Sequence, residues 1–164
     1  MLTYRQGILS SVGHDLRLRV TGFTIDISDD QQMIEAVFDA NSVRVDSAMR
    51  DGKPLAGTLS ERDRKQIEGN VVRDVLEAER FPEIRFASGS IARREDRALI
   101  AGTLTLHGYS RLLTMEATLR NGVWTTDARI YQPDYAIRPF SAMLGTLKIQ
   151  PDLRVQVILR LPTL

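Results

Sequence analysis

Hydrophobic and polar residues alternate along most of this chain with a period of two. Over residues 14–20, Leu16, Leu18 and Val20 share one face while Asp15, Arg17 and Arg19 share the other, as in a strand with one buried side. Gly22 interrupts the run. Phe23, Ile25 and Ile27 resume it, residues 28–30 form a polar turn, and residues 33–39 and 42–45 read as further strands, so the first third is a β-meander.

Over residues 59–81 the period lengthens. Ile67, Val71, Val75 and Leu76 make a narrow apolar stripe on a charged segment, the mark of a surface helix. Ser60 supplies an N-cap, Glu61 and Asp63 place negative charge in the first turn, and Pro82 stops the helix by Phe81. The polar face, with Arg62, Arg64, Lys65, Glu68 and Asp74, reads as solvated.

The strand period then returns. Ile84 and Phe86 begin it, followed by Ile100, Leu104 and Leu106, by Leu113, Met115, Ala117 and Leu119, and by Trp124, Ala128 and Ile130. Turns fall at 93–97, at 108–110 and at Asn121-Gly122, a pair that favours a tight hairpin and sets Leu119 opposite Trp124. Residues 139–145 read as one short helical turn, and Leu153, Val155, Val157, Leu159 and Leu161 form the strand that closes the sheet. About eight strands around one inserted amphipathic helix, near residues 60–80, predict an all-β fold: a single closed antiparallel barrel over residues 1–164. Its inward set is rich in Leu, Ile, Val and Ala and poor in aromatics (6%), which suits a slot shaped for a hydrocarbon. A filled core would give the same alternation.

Composition removes several function classes. The chain has no Cys, so disulfides, thiolate chemistry and sulfur-based zinc sites are excluded. Lys+Arg 22 against Asp+Glu 21 leaves a net charge of +1 and no basic stripe, which disfavours nucleic acid. No apolar run approaches the roughly 18 residues of a membrane span, so stable membrane insertion is not expected. Residues 1–11 lack the apolar stretch of a secretory signal, which points to the cytoplasm; a periplasmic address would hold for a form whose leader had been removed. With only two His, His14 beside Asp15 and His107 near Ser110, and no Gly-x-Ser-x-Gly elbow, no catalytic residue is assigned. Metal-ligand spacing and glycine-rich phosphate cradles are likewise missing from the sequence. Trp124 reads as a core plug, and Arg138, beside Pro139 and Phe140, as either a plain surface cation or a headgroup contact at the barrel mouth.

Four segments carry a family resemblance. Residues 80–88, RFPEIRFAS, resemble the aromatic-Pro and alternating Ile/Phe segment that follows the inserted helix in the YceI-like, polyisoprenoid-binding family. Residues 101–119, AGTLTLHGYSRLLTMEATL, are similar to its strand, His-Gly turn and return strand. Asp134-Tyr135-Ala136-Ile137 resembles its Asp-aromatic-Gly-Ile run, with Ala136 where Gly is usual, and residues 145–161 resemble its final turn and strand, with the glycine-rich approach reduced to Gly145. The resemblance implies a lipocalin-like barrel holding a long isoprenoid or similar lipid along its axis, with no other cofactor. Together with the alternation it assigns the lining to Leu18, Ile25, Phe38, Phe86, Leu104, Leu106, Met115 and Val157, with His107 and Arg138 as polar contacts. The expected partner is a small apolar ligand, and a homodimer is compatible with the sequence. The alternative is a protein-interaction module with a filled barrel core; a hydrolase using His107 is a third reading.

Overall fold

The computed structural model describes residues 2–6, 15–142 and 147–160, with side chains from 15 to 141 and from 149 to 160. Its strands are β1 (Leu2–Gln6), β2 (Asp15–Val20), β3 (Phe23–Ile27), β4 (Ile34–Asp39), β5 (Val43–Arg50), β6 (Lys53–Leu55), β7 (Glu83–Arg94), β8 (Arg97–Leu106), β9 (Tyr109–Arg120), β10 (Val123–Tyr131), β11 (Ser141–Ala142) and β12 (Leu147–Leu159). One helix, α1 (Glu61–Asn70), is prolonged by a π-turn at Val71–Val75. Every strand pairing is antiparallel.

The sheet closes through a bent hairpin. β2 runs into β3 and pairs with β5, while β3 pairs with β4, which in turn runs into β5. At the bend the backbone stays joined, with Thr21 N–H donating to Ser42 O at 3.1 Å and Asp39 N–H to Gly22 O at 2.9 Å. The two halves take different outer neighbours, β1 beside β2 and β7 beside β4. The hydrogen-bonded ring therefore passes through β2–β3, β4–β5, β7, β8, β9, β10, β12 and β1, the antiparallel barrel that the alternation predicts. Gly22 makes the bend, because a Cβ there would lie 3.1 Å from the Ser42 Cβ. The bend also changes which residues face inward, from Leu16, Leu18 and Val20 to Ile25 and Ile27, the one-residue slip that a bulge permits.

Tight turns sit where the sequence supplies residues tolerant of positive φ. Asp51-Gly52, His107-Gly108 and Asn121-Gly122 all have both residues at positive φ, as hairpins with right-handed twist require. The last of these pairs Leu119 with Trp124.

The helix differs from its sequence reading in three ways. It ends by Val75 rather than near Phe81, because Glu77 turns left-handed (φ 45) before Pro82 is reached. The π-turn, with Leu76 N–H donating to Val71 O at 2.9 Å, adds Val72 to the apolar stripe, so Ile67, Val71, Val72 and Leu76 pack together on Leu18, Val43 and Val45. The polar face is only partly solvated. The register shift opposite Arg17 and Leu18 leaves Asp46 as the extra residue of β5. Glu68 then accepts from Val45 N–H at 2.8 Å, and Arg64 donates to Val45 O at 3.2 Å and Asp46 O at 2.8 Å. One helix turn apart, these two side chains take the backbone groups that the bulge releases. Ser60 and Asp63 close a reciprocal capping box at the other end of α1.

Three shorter features also depart from the pattern. β1 and β6 are strands that the alternation did not reveal, and residues 141–142 pair with β12 instead of turning as a helix. His14, Leu161 and residues 143–146 lie outside the described residues.

Candidate functional site

The barrel interior is hollow over the half nearest the β3–β4, β7–β8 and β9–β10 turns. An apolar cavity of about 170 Å³ runs along it, lined from β3, β4, β7, β8, β9, β10 and β12 by residues such as Ile25, Phe38, Phe86, Leu104, Met115 and Val157. Small side chains make the room: Ala36, Ala98, Ala117 and Ala128 face the space from four strands and are themselves buried. On β10 the lining extends from Trp124 to Ile130, about 20 Å of strand at 3.4 Å per residue, or about 15 Å along the axis at a usual barrel tilt. The cavity is therefore long and narrow. Gly102 keeps it open on the β8 side, since a Cβ there would meet Ala87 O at 2.4 Å and the Phe86 ring at 2.6 Å.

Of the lining residues only Gln31, Arg93 and Thr126 have polar side chains, and all three come from the half of the cavity near the turns. Gln31 lies in the β3–β4 turn at φ 56, and Arg93 is the penultimate residue of β7. The Arg93 guanidinium donates to Gln31 Oε1 and lies 5.0 Å over the Trp124 ring. Thr126 Oγ1 is buried with no hydrogen-bond partner. Exposed Arg93 and half-buried Trp124 thus mark the mouth. Trp124 is a wall of that mouth rather than a core plug.

The opposite end is filled at its centre, and a second, more polar pocket there is bordered by Arg111, Leu113, Arg129, Ile130, Asp134 and Tyr135. Leu106, Tyr135 and Ile137 are buried there in the main core, with Val75 and Leu76 of the helical segment packed against it. His107, 8% exposed, donates from Nδ1 to Tyr135 O at 3.1 Å and sits 4.4 Å from the Phe81 ring. Its Nε2 lies 3.3 Å from Glu77 Oε1 without a hydrogen bond. Burial, then the charge of Asp134, raises the Tyr135 phenol above its ordinary value. Ser110, the nucleophile of the hydrolase reading, bonds Thr105 Oγ1 at 2.8 Å instead of His107. Among the described residues no group of three or more His, Asp or Glu converges as a metal site.

Of the residues assigned from sequence, Ile25, Phe38, Phe86, Leu104, Met115 and Val157 come together around the cavity. Leu18 does not, because the bend at Gly22 puts it under the helix with Val43 and Val45. Leu106 and His107 belong to the filled base, since β8 runs from mouth to base and ends there. Arg138 follows Ile137 at the base as an exposed residue, away from the mouth. The alanine wall, Gly102 and Arg93 were missed. A glycine inside an alternating run was the available signal for Gly102.

A model of the YceI-like domain matches residues 7–161. The chain belongs to the YceI-like family. A crystal structure of the Campylobacter jejuni YceI protein superposes with a TM-score of 0.60 at 12% identity, covering 87% of this chain and 82% of that one. A cysteine mutant of that protein gives 0.61 over the same shares and at the same identity. BcnA of Burkholderia cenocepacia gives 0.49 at 14% identity over 95% of both chains. No functionally curated protein matches the sequence. The Campylobacter likenesses show the fold, a lipocalin-like barrel shared with this YceI-like chain. Among the described residues no helix is long and apolar enough to cross a membrane.

Proposed function

We propose that this YceI-like protein binds a long-chain apolar ligand of the polyisoprenoid type in the barrel cavity and carries or stores it without transforming it. The observation that supports this most directly is the apolar hollow itself, walled by alanines at positions where larger residues would fill the barrel. Family membership agrees with a binding role. A cavity of about 170 Å³ is below the roughly 300–1,000 Å³ common for drug-sized ligands, so its width suits one hydrocarbon chain rather than a fused ring system. Each methylene taken from water contributes about 0.8 kcal/mol, so affinity should climb with chain length until the slot is full and then level off.

The protein contains one Trp, Trp124, and it lines the cavity, so its fluorescence is a built-in reporter. Titration with polyprenols of increasing length should give saturable changes in Trp124 emission, tightening with length to a plateau. Leu104→Arg, which puts a charge in the slot, should abolish the response while the circular dichroism spectrum is kept. A wild-type protein blind to every polyprenol, and free of co-purifying lipid by native mass spectrometry, would favour the alternative, a protein-interaction module with a filled core.

A further inference from the structure

We propose that the barrel wall has an open slot between β3 and β12, which receives an extended segment of a partner protein as an added β-strand. It is independent of what the cavity carries. Toward the base β1 stands between β12 and β2, but it reaches only as far as the pairs that Leu2 makes with Arg154 and Arg17. Beyond that level β2 has become β3, whose residues Phe23–Ile27 pair with β4 alone, and residues 155–159 of β12 pair with β10 alone. Among the described residues no strand lies between these two edges. Side-chain exposure marks the same breach. Ile25, Val155 and Val157 line the cavity yet are only half-buried, whereas Ala36, Phe86 and Ile100 on β4, β7 and β8 are buried. Phe23 faces the same way as its cross-strand partner Phe38, with ring centres 6.0 Å apart, and is nonetheless 52% exposed.

The two edges select what fits between them. Each presents five residues, about 17 Å of strand, with the backbone N–H and C=O groups of alternate residues directed into the slot. A hydrocarbon chain lying there strips water from those groups and returns no hydrogen bond, at a cost of about 1–3 kcal/mol for each group so stripped. An extended peptide pairs with both edges at once and sets alternate side chains into the apolar interior. Direction is fixed as well. β1 runs antiparallel to both β12 and β2, so a strand continuing its line is antiparallel to β12 and β3 and points its C-terminal end at Leu2. The same two elements are already joined in this way by β1, and the slot prolongs that pairing toward the mouth. Its occupant is about five residues of extended chain, apolar at alternate positions.

The peptide KTVTVTVTK, whose Val residues share one face and whose Lys ends keep it soluble, is the probe. Isothermal titration of the full chain should show saturable binding, and hydrogen exchange should slow about tenfold at the slot-facing amides of both Phe23–Ile27 and residues 155–159. The same peptide N-methylated at alternate residues keeps its side chains, loses the donors of one edge, and should bind at least about tenfold more weakly. Fusing TVTVT ahead of Met1, from which a strand reaches the slot without a turn, should protect the same amides with no free peptide present. Lack of protection at either edge with both the free and the fused strand overturns the slot, and so does equal affinity for the methylated peptide, which would make the contact apolar only.

Discussion

The two halves of the barrel follow one alternation and end in opposite conditions. Near the mouth the inward positions hold Ala36, Ala98, Ala117 and Ala128, and the ring encloses empty space. At the base Leu106, Tyr135 and Ile137 meet in the middle, Phe81 lies against His107, and the helical segment covers what remains. Backbone geometry is common to both, so the volume of the inward side chains decides between hollow and solid. Each half keeps one buried polar atom without a hydrogen bond, His107 Nε2 at the base and Thr126 Oγ1 nearer the mouth, although His107 Nδ1 is bonded to the Tyr135 carbonyl. A filled end that anchors and a hollow end that accepts are the arrangement a carrier needs, because tight packing in one part stabilises the fold that the empty part does not.

Truncation at the base should give the largest effect. Tyr135 is 4% exposed, and Tyr135→Ala leaves a void that closely packed neighbours cannot close, at a cost of about 3 kcal/mol. For a chain of this size that is a fall of roughly 6–12 °C in the thermal midpoint, readable by calorimetry. A loss below about 1 kcal/mol would mean that the base is not the solid half. The converse substitution at the mouth is milder for stability and severe for binding. Ala117→Leu adds volume where there is space to receive it, so denaturant unfolding should move by no more than about 1 kcal/mol. Polyprenol titration of the same variant should lose at least tenfold in affinity. If the variant binds normally, the ligand does not occupy the alanine-walled stretch.

How much of this contrast could be read from the residues differs between fold and site. The alternating runs, the Asn121-Gly122 hairpin and the Ser60 cap carry local rules, and they placed the longer strands and the start of the helix, though not β1, β6 or β11. The site assignments for Leu18 and Leu106 failed for non-local reasons. Leu18 is inward by its own strand, yet the bend at Gly22 turns that part of the barrel under α1. Leu106 is inward too, but whether an inward residue lines a space or fills one depends on what stands across the ring. Arg64 and Glu68 looked like any charged helix face because their partners, the freed backbone groups of Val45 and Asp46, exist only through a bulge far away in sequence. Arg138 was placed by its neighbours, and strand direction set it at the other end.

Ala136 gives the smallest predicted effect and tests whether the base is held by packing or by backbone conformation. It follows the 3-10 turn Gln132–Tyr135 that seats Tyr135, and it adopts a left-handed conformation (φ 53, ψ 21) to cap it. An alanine there costs about 1–2 kcal/mol from contact of its Cβ with the following carbonyl, a cost that glycine avoids. Against this, glycine gives the unfolded chain more freedom, about 0.4–1 kcal/mol. Ala136 is exposed, so no packing is lost with its methyl. Ala136→Gly should therefore stabilise the protein by about 0.5 kcal/mol in urea unfolding, with polyprenol affinity unchanged, because the substitution relaxes the solid end and leaves the hollow one alone. A net loss of stability would show that the methyl helps to hold Tyr135 in place, and the base would then owe its order to packing at its rim as well as at its centre.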